Sequence, residues 1–205
     1  MSAPALETVD QRVSYGIALN IGSNIARQGG VEIDTAAFLA GLEDGLKGAE
    51  PRVAEADLQA AFQAAQQKAE AAAAKGSEAN LAAGQKFLAE NGKRPGVTTT
   101  ASGLQYEVLT PGTGPKPKPN QTVKVHYHGT LIDGTVFDSS VQRGEPIEFP
   151  VTGVIPGWVE ALQLMPVGSK WKLFIPQNLA YGPRATGKIP AGSALVFEVE
   201  LLEAK

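Results

Sequence analysis

Six aromatic side chains in the second half of the chain, Tyr127, Phe137, Phe149, Trp158, Tyr181 and Phe197, are the residues best suited to do chemistry. Each stands beside a strand or turn signal, and any one alone reads as plain core. Six large rings are more than a small sheet can swallow, so some must line a concavity. An apolar concavity with a few polar tips is how small-ligand sites are built. Conventional catalysis has little else to use. The chain has no cysteine, which excludes disulfides, thiolate nucleophiles and Cys-ligated zinc. The only two histidines, His126 and His128, fall two apart on the polar face of a strand with no matching ligand set, and read as solvated strand residues. No phosphate-cradling glycine loop or nucleophile elbow is present, and neither a metal nor a cofactor is expected.

The elements that must position these rings begin after Val97, where prolines and glycines become dense. "TPGTGPKPKPNQ" is a loop whose prolines forbid regular pairing. "TVKVHYHGTL" then alternates, with Val123, Val125, Tyr127 and Leu131 on one face and Lys124, His126, His128 and Thr130 on the other. Asp133-Gly134 signals a hairpin. The last strand, "ALVFEVELLE", turns Leu195, Phe197, Val199 and Leu201 to one side. Several strands around one short helix at "VIPGWVEALQLMP" predict an α+β domain whose sheet wraps that helix.

The first half is written differently. Val13, Ile17, Ile21 and Ile25 recur every fourth position, predicting a helix from Val9 to about Ala26 that Gly29 and Gly30 stop. A second helix starts after the N-cap Asp34 and carries Phe38, Leu39, Leu42 and Leu46 before Gly48. From Pro51 to about Glu90 the chain is crowded with Ala, Gln, Glu and Lys, and between Phe62 and Leu81 nothing apolar exceeds alanine. A helix with so little to bury is a spacer. If continuous for ~40 residues it is ~60 Å long, with Gly76 and Gly84 as places to bend. Two short amphipathic helices hide few large side chains by themselves, so an obligate dimer through Val9 to Leu46 is favoured over a self-contained three-helix unit.

With 205 residues, 43% hydrophobic and 19% charged, the chain has the composition of one large or two small globular domains. A net charge of −3 is too small to argue for nucleic acid or an anionic membrane as partner. The N-terminal stretch "MSAPALETVDQRV" lacks the basic start and apolar run of a secretory signal, which favours the cytoplasm, with the periplasm as the alternative for a signal-stripped form.

The segments "VHYHGTLIDGTVFDSS", "GVIPGWVEALQLMPVGSKWKLFIP", "LAYG" and "LVFEVELLE", in this order and spacing, resemble the FKBP-type peptidyl-prolyl cis-trans isomerases. "VSYGIALNIGSNIA" with the Ala-rich helix is similar to the bacterial macrophage infectivity potentiator subgroup, whose members dimerise through N-terminal helices. The resemblance implies a helical dimerisation region over 1–50, a linking helix over 51–94 and, over 95–205, an antiparallel half-barrel sheet wrapped on a short helix. It implies a catalytic set of Asp138, Tyr181, Tyr127 and Ile155, and a substrate pocket of Phe137, Ile147, Phe149, Val154, Trp158, Ile189 and Phe197. Ile147 stands where the family often has an aromatic, and "IPA" at Ile189 to Ala191 replaces a frequent "IPP". Phe137 and Asp138 are strand neighbours, so both reach one pocket only if the strand ends or bulges there. Asp138 is open to three roles: meeting the twisting carbonyl, orienting Tyr127, or capping the "SSV" turn that follows.

The implied activity is rotation of X-Pro bonds in unfolded or flexible polypeptides, an assistance to folding that macrolides such as rapamycin block. The competing reading is a client-holding chaperone or dedicated binding module that uses the same pocket with little turnover.

Overall fold

The computed structural model describes residues 5–28 and 32–205, and among them the chain forms five α-helices and a seven-stranded sheet. Helix α1 runs over Val9–Gln28, and Gly29 and Gly30, expected to stop it, lie outside the described residues. Helix α2 covers Thr35–Lys47. The Asp34 carboxylate accepts from Ala37 N–H at 2.8 Å at its start, and Gly48, at φ 63°, closes it in the left-handed conformation that glycine adopts without cost. Helix α3, Glu55–Asn91, starts four residues later than the proline suggested. Arg52 is paired with Asp44 at 2.7 Å, which ties the stretch before α3 back to α2. Among the described residues no helix is long and apolar enough to cross a membrane.

The chain divides into two compact units, Met1–Ala73 and Ala74–Lys205, and α3 contributes to both. The second unit therefore starts well before the 94/95 boundary that the change of grammar suggests. The reason is a stripe on α3 at helical spacing, Ser77, Asn80, Leu81, Gly84, Phe87, Leu88 and Asn91, of which Gly84 and Asn91 are buried and the others half-buried. Phe87 meets Phe174 at 6.0 Å between ring centroids. Asn91 Nδ2 donates to Gln105 Oε1 at 2.8 Å, and Gln105 Nε2 donates to the Leu88 carbonyl at 2.9 Å. Up to Gly76 nearly all of α3 is exposed, and from Ser77 on one side of it is half-buried or buried.

Within the second unit the strands are β1 (Val97–Thr99), β2 (Gln105–Thr110), β3 (Thr122–Leu131), β4 (Val136–Ser139), β5 (Ile147–Pro150), β6 (Lys170–Ile175) and β7 (Leu195–Ala204). Every pairing is antiparallel, in the order β1-β2-β6-β7-β3. The far edge of β3 is shared: β5 lies along Thr122–Val125 and β4 along His128–Thr130. The one-turn helix α4 (Ser140–Arg143) lies between these two strands in the chain, and the Tyr127 N–H donates to Ser140 Oγ at 2.8 Å instead of to a strand. Helix α5, Pro156–Leu164, carries the short apolar motif. Trp158, Ala161 and Leu162 of α5 are buried in one cluster with Val123, Val125 and Tyr127 of β3 and Leu195, Phe197, Val199 and Leu201 of β7. The α+β half-barrel is thus an open antiparallel sheet folded around one helix, as the alternation of β3 and β7 requires. The turn at Asp133-Gly134 joins β3 to β4, with Gly134 at φ 88°.

Candidate functional site

The eleven residues named from the sequence line one cavity of about 840 Å³. Trp158 stands at its base, 4% exposed, on the third residue of α5. Pro156 at the first helical position presets the backbone of that turn. Gly157 follows because a Cβ there would lie 2.6 Å from Ile175 Cγ2 on β6. Three rings meet the indole edge-on: Phe197 at 5.2 Å and 82°, Tyr127 at 5.5 Å and 86°, Phe149 at 6.0 Å and 84°. Phe137 adds a fourth wall, edge-on to Phe197 at 5.4 Å. Edge-to-face contacts of this kind hold rings in fixed orientation as well as filling space. Ile147, Val154 and Ile189 supply the aliphatic part of the lining, and Tyr181, 39% exposed, stands at the mouth.

Phe137 and Asp138 both reach the cavity because β4 bulges. Gly129 pairs with Asp138, but Thr130 pairs with Val136, which leaves Phe137 as the extra residue. Asp138 does not cap the turn; that role falls to Ser139, whose hydroxyl accepts from the Gln142 N–H. Asp138 instead takes short hydrogen bonds from the Tyr127 hydroxyl and from Arg143 Nη1. Arg143 Nη2 also donates to the Tyr127 oxygen at 3.0 Å, and its guanidinium lies 5.7 Å from the Tyr127 ring centroid. Arg143 lines the cavity and was not anticipated from the sequence, nor were Gly153, Thr186, Gly187 and Lys188. The only signal for Arg143 is a cation five residues after Asp138, at the end of one helical turn.

Ile155 precedes α5 with φ −60° and ψ 149°, and among the described residues its N–H has no acceptor, while its carbonyl takes the Trp158 and Val159 N–H groups. Trp158 Nε1 is likewise buried without a partner. His126 and His128 are not in the cavity: each ring Nδ1 lies on a serine hydroxyl, Ser140 at 3.1 Å and Ser139 at 3.0 Å, and both side chains are half-buried instead of fully solvated.

Burial pushes the Asp138 carboxyl up, but the hydrogen bonds from Tyr127 and Arg143 outweigh it and hold the group below the usual carboxylate range. Burial, reinforced by the bond to Asp138, holds the Tyr127 phenol above its ordinary value. The stability Asp138 contributes is therefore complete above the ordinary carboxylate pKa and is lost only as pH falls through the depressed one. That of Tyr127 is complete below the ordinary phenol pKa and is lost as pH rises through the raised one. The Asp138–Tyr127–Arg143 set keeps one protonation state through the neutral range. A pH–rate profile for X-Pro isomerisation is expected to be flat from about pH 5 to 9; a bell with a limb near neutrality would assign the reaction to some other group.

A half-barrel around a ring-walled cavity with one hydrogen-bonded carboxylate at its wall has the build of a site for a small, largely apolar group. The family model for the FKBP-type peptidyl-prolyl cis-trans isomerase matches residues 114–202, and that for the domain amino-terminal to it matches residues 10–108. An Escherichia coli protein named FKBP-type 22 kDa peptidyl-prolyl cis-trans isomerase is 50% identical over 204 residues, 99% of each chain. The outer membrane protein MIP of Legionella longbeachae is 42% identical over 99% of this chain and 89% of its own. The crystal structure of FkpA from Escherichia coli superposes with a TM-score of 0.72 at 36% identity, covering 98% of this chain and 99% of that one. The chain belongs to the FKBP-type peptidyl-prolyl cis-trans isomerases, and its activity is the rotation of X-Pro peptide bonds.

Proposed function

We propose that the cavity above Trp158 is where the X-Pro bond turns. Rotation must break amide conjugation, a barrier of ~18 to 20 kcal/mol that makes the unaided reaction take tens of seconds. No bond is made or cut. The twisted amide has lost resonance and is less dipolar than the planar one, so a water-excluding cavity favours it. Each tenfold gain needs about 1.4 kcal/mol of such preference. In this reading the pyrrolidine ring lies on Trp158 between Phe149, Val154 and Phe197, with Phe137, Ile147 and Ile189 completing the walls. The Ile155 N–H takes one substrate carbonyl and the Tyr181 hydroxyl another. Asp138 orients Tyr127 and faces the twisting carbonyl, and Arg143 holds Asp138 and the Tyr127 hydroxyl in place. The observation that carries the reading is the unpartnered Ile155 N–H at the edge of a cavity whose base is ringed edge-on by three aromatics.

The macrolide rapamycin is the matching competitor: a protease-coupled X-Pro tetrapeptide assay is expected to show turnover that rapamycin abolishes. Asp138→Ala is expected to lower kcat/KM at least about tenfold, the loss of one charge-assisted network. The same variant separates the client-holding reading, because protection of a denatured client from aggregation would survive it. Unchanged turnover in Asp138→Ala would remove that residue from the catalytic set.

The domain assignment is part of the same proposal: 1–50 dimerises, 51–94 links and 95–205 isomerises. Val13, Ile17 and Leu19 of α1 and Leu39, Leu42 and Leu46 of α2 are all exposed in the single chain, and a second copy of the same helices is the partner that would cover them. The clients are proline-containing unfolded or flexible polypeptides. The reaction uses no thiol and no cofactor in this reading, so it suits the periplasm as well as the cytoplasm, and a relative named an outer membrane protein favours the periplasm.

A further inference from the structure

One end of the covered stripe on α3 rests on the segment that follows Ile189, a residue of the cavity wall. Asn80 Nδ2 donates to the Ala191 carbonyl at 2.9 Å, between residues 111 positions apart. Gly192 has φ 74°, and a Cβ there would lie 2.4 Å from the Ser77 carbonyl oxygen, so the two backbones touch. A Cβ on Gly84 would lie 3.0 Å from that of Ala194. The Gly192 N–H in turn donates to the Gly182 carbonyl at 2.9 Å, which joins the two feet of the loop between Tyr181 and Ala191. Four cavity residues, Thr186 to Ile189, ride on that loop. Positions 183–188 are exposed, and between its feet the loop's only backbone hydrogen bonds among the described residues are the Thr186–Ile189 pair. A loop with so little of its own to hold it takes its position from its feet.

We infer that Asn80, seated with Ser77 against Ala191 and Gly192, is a positioning residue for isomerisation: α3 sets where Tyr181 and Ile189 stand, and through them which residues flanking the proline are accepted. The inference rests on the reading that the cavity is the site of turnover. Where the stripe meets the backbone of 191–194 its residues are Ser77, Asn80 and Gly84, small or polar, because close backbone approach needs residues that take little room. Losing the Asn80 hydrogen bond should lower the equilibrium constant for the placed loop about three- to tenfold, and with placed and displaced loops near balance the placed population then falls about two- to fivefold. A binding-competent state that is only fractionally populated raises the apparent KM by the inverse of that fraction and leaves the chemical step alone.

The test is Asn80→Ala in the full chain, assayed on tetrapeptides with Leu, Ala or Glu before proline, beside Glu78→Ala on the exposed face of the same helix. Amide hydrogen exchange at Gly192 and Ile189 is followed in each. Asn80→Ala is expected to raise KM about two- to fivefold with kcat within about twofold, and to change the ratio of kcat/KM among the three peptides at least about twofold. Exchange at Gly192 and Ile189 should quicken, the melting temperature should hold, and Glu78→Ala should behave as the parent. Gly192→Ala, which adds both strain and a clash, should move the same quantities further. An unchanged KM, or an equal fall in kcat on all three peptides in step with the folded fraction, overturns the inference. Should the parent chain fail to turn any peptide, it is the cavity reading that falls; exchange at Gly192 and Ile189 that ignores Asn80→Ala then overturns the seating of the loop as well.

Discussion

Gly129→Ala is expected to cut kcat/KM on a tetrapeptide at least about tenfold while the protein stays folded. A Cβ at this buried position of β3 would lie 2.7 Å from two Phe137 ring atoms and 2.9 Å from Phe197 Cε1. Aromatic and aliphatic carbons rest at about 3.5 to 4.0 Å, so both rings must retreat by roughly an ångström. Both belong to the cavity wall, and Phe197 is also edge-on to Trp158, so the displacement is relayed to the base of the site. Overpacking of this kind costs about 1 to 3 kcal/mol, which a domain of this size survives. Tetrapeptide kinetics with a thermal melt decide the matter: a rate within twofold of the parent would mean that the rings are not held where catalysis needs them.

Removing the first unit should separate two substrates. A chain starting at Ala74 is expected to isomerise tetrapeptides as the full protein does, and to lose at least about tenfold on the proline-limited refolding of a denatured protein. The proposed dimer presents two sites to one client, and the second encounter is then intramolecular, an effect that reaches 10² to 10⁴ when geometry allows. Sedimentation should show the full chain as a dimer and the shortened one as a monomer. Equal loss on both substrates would place the first unit inside the catalytic mechanism instead. The cut must fall at Ala74 and not at Val97, where the change of sequence grammar invites it. Starting at Val97 discards Phe87, Leu88 and Asn91, and with them the ring contact to Phe174 and both side-chain hydrogen bonds of Gln105.

That difference between Ala74 and Val97 shows what the sequence could and could not say. Hydrophobic alternation reported β3 and β7 because their inner faces are built from large side chains, and it put Tyr127 and Phe197 each on the inner face of its own strand, while the resemblance joined them in one pocket. The caps of α2 were readable because Asp34 and Gly48 act through local backbone geometry. The last turns of α3 were legible only in part, since beside Leu81, Phe87 and Leu88 the stripe packs through the small volume and hydrogen bonds of Ser77, Asn80, Gly84 and Asn91, to which an apolar periodicity is blind. Arg143 was missed for a related reason. Its meaning lies in two partners on other elements, and nothing in "SVQRG" distinguishes it from a solvated cation. The bulge at Phe137 was required by the resemblance but left no mark in the residues, because the register of β4 is set by its pairing with β3.

The shared edge of β3 also bears on how this protein can change in length. Because α4 lies between β4 and β5 and both strands are tied to one neighbour, the segment from Ser139 to Ile147 is fixed at both ends. A single insertion or deletion there would rotate the turn and swing Arg143 off Asp138, whereas the exposed positions 183–188 can gain or lose residues while Gly182 and Gly192 remain joined. Lineage divergence in loop size should therefore gather at the second place and spare the first.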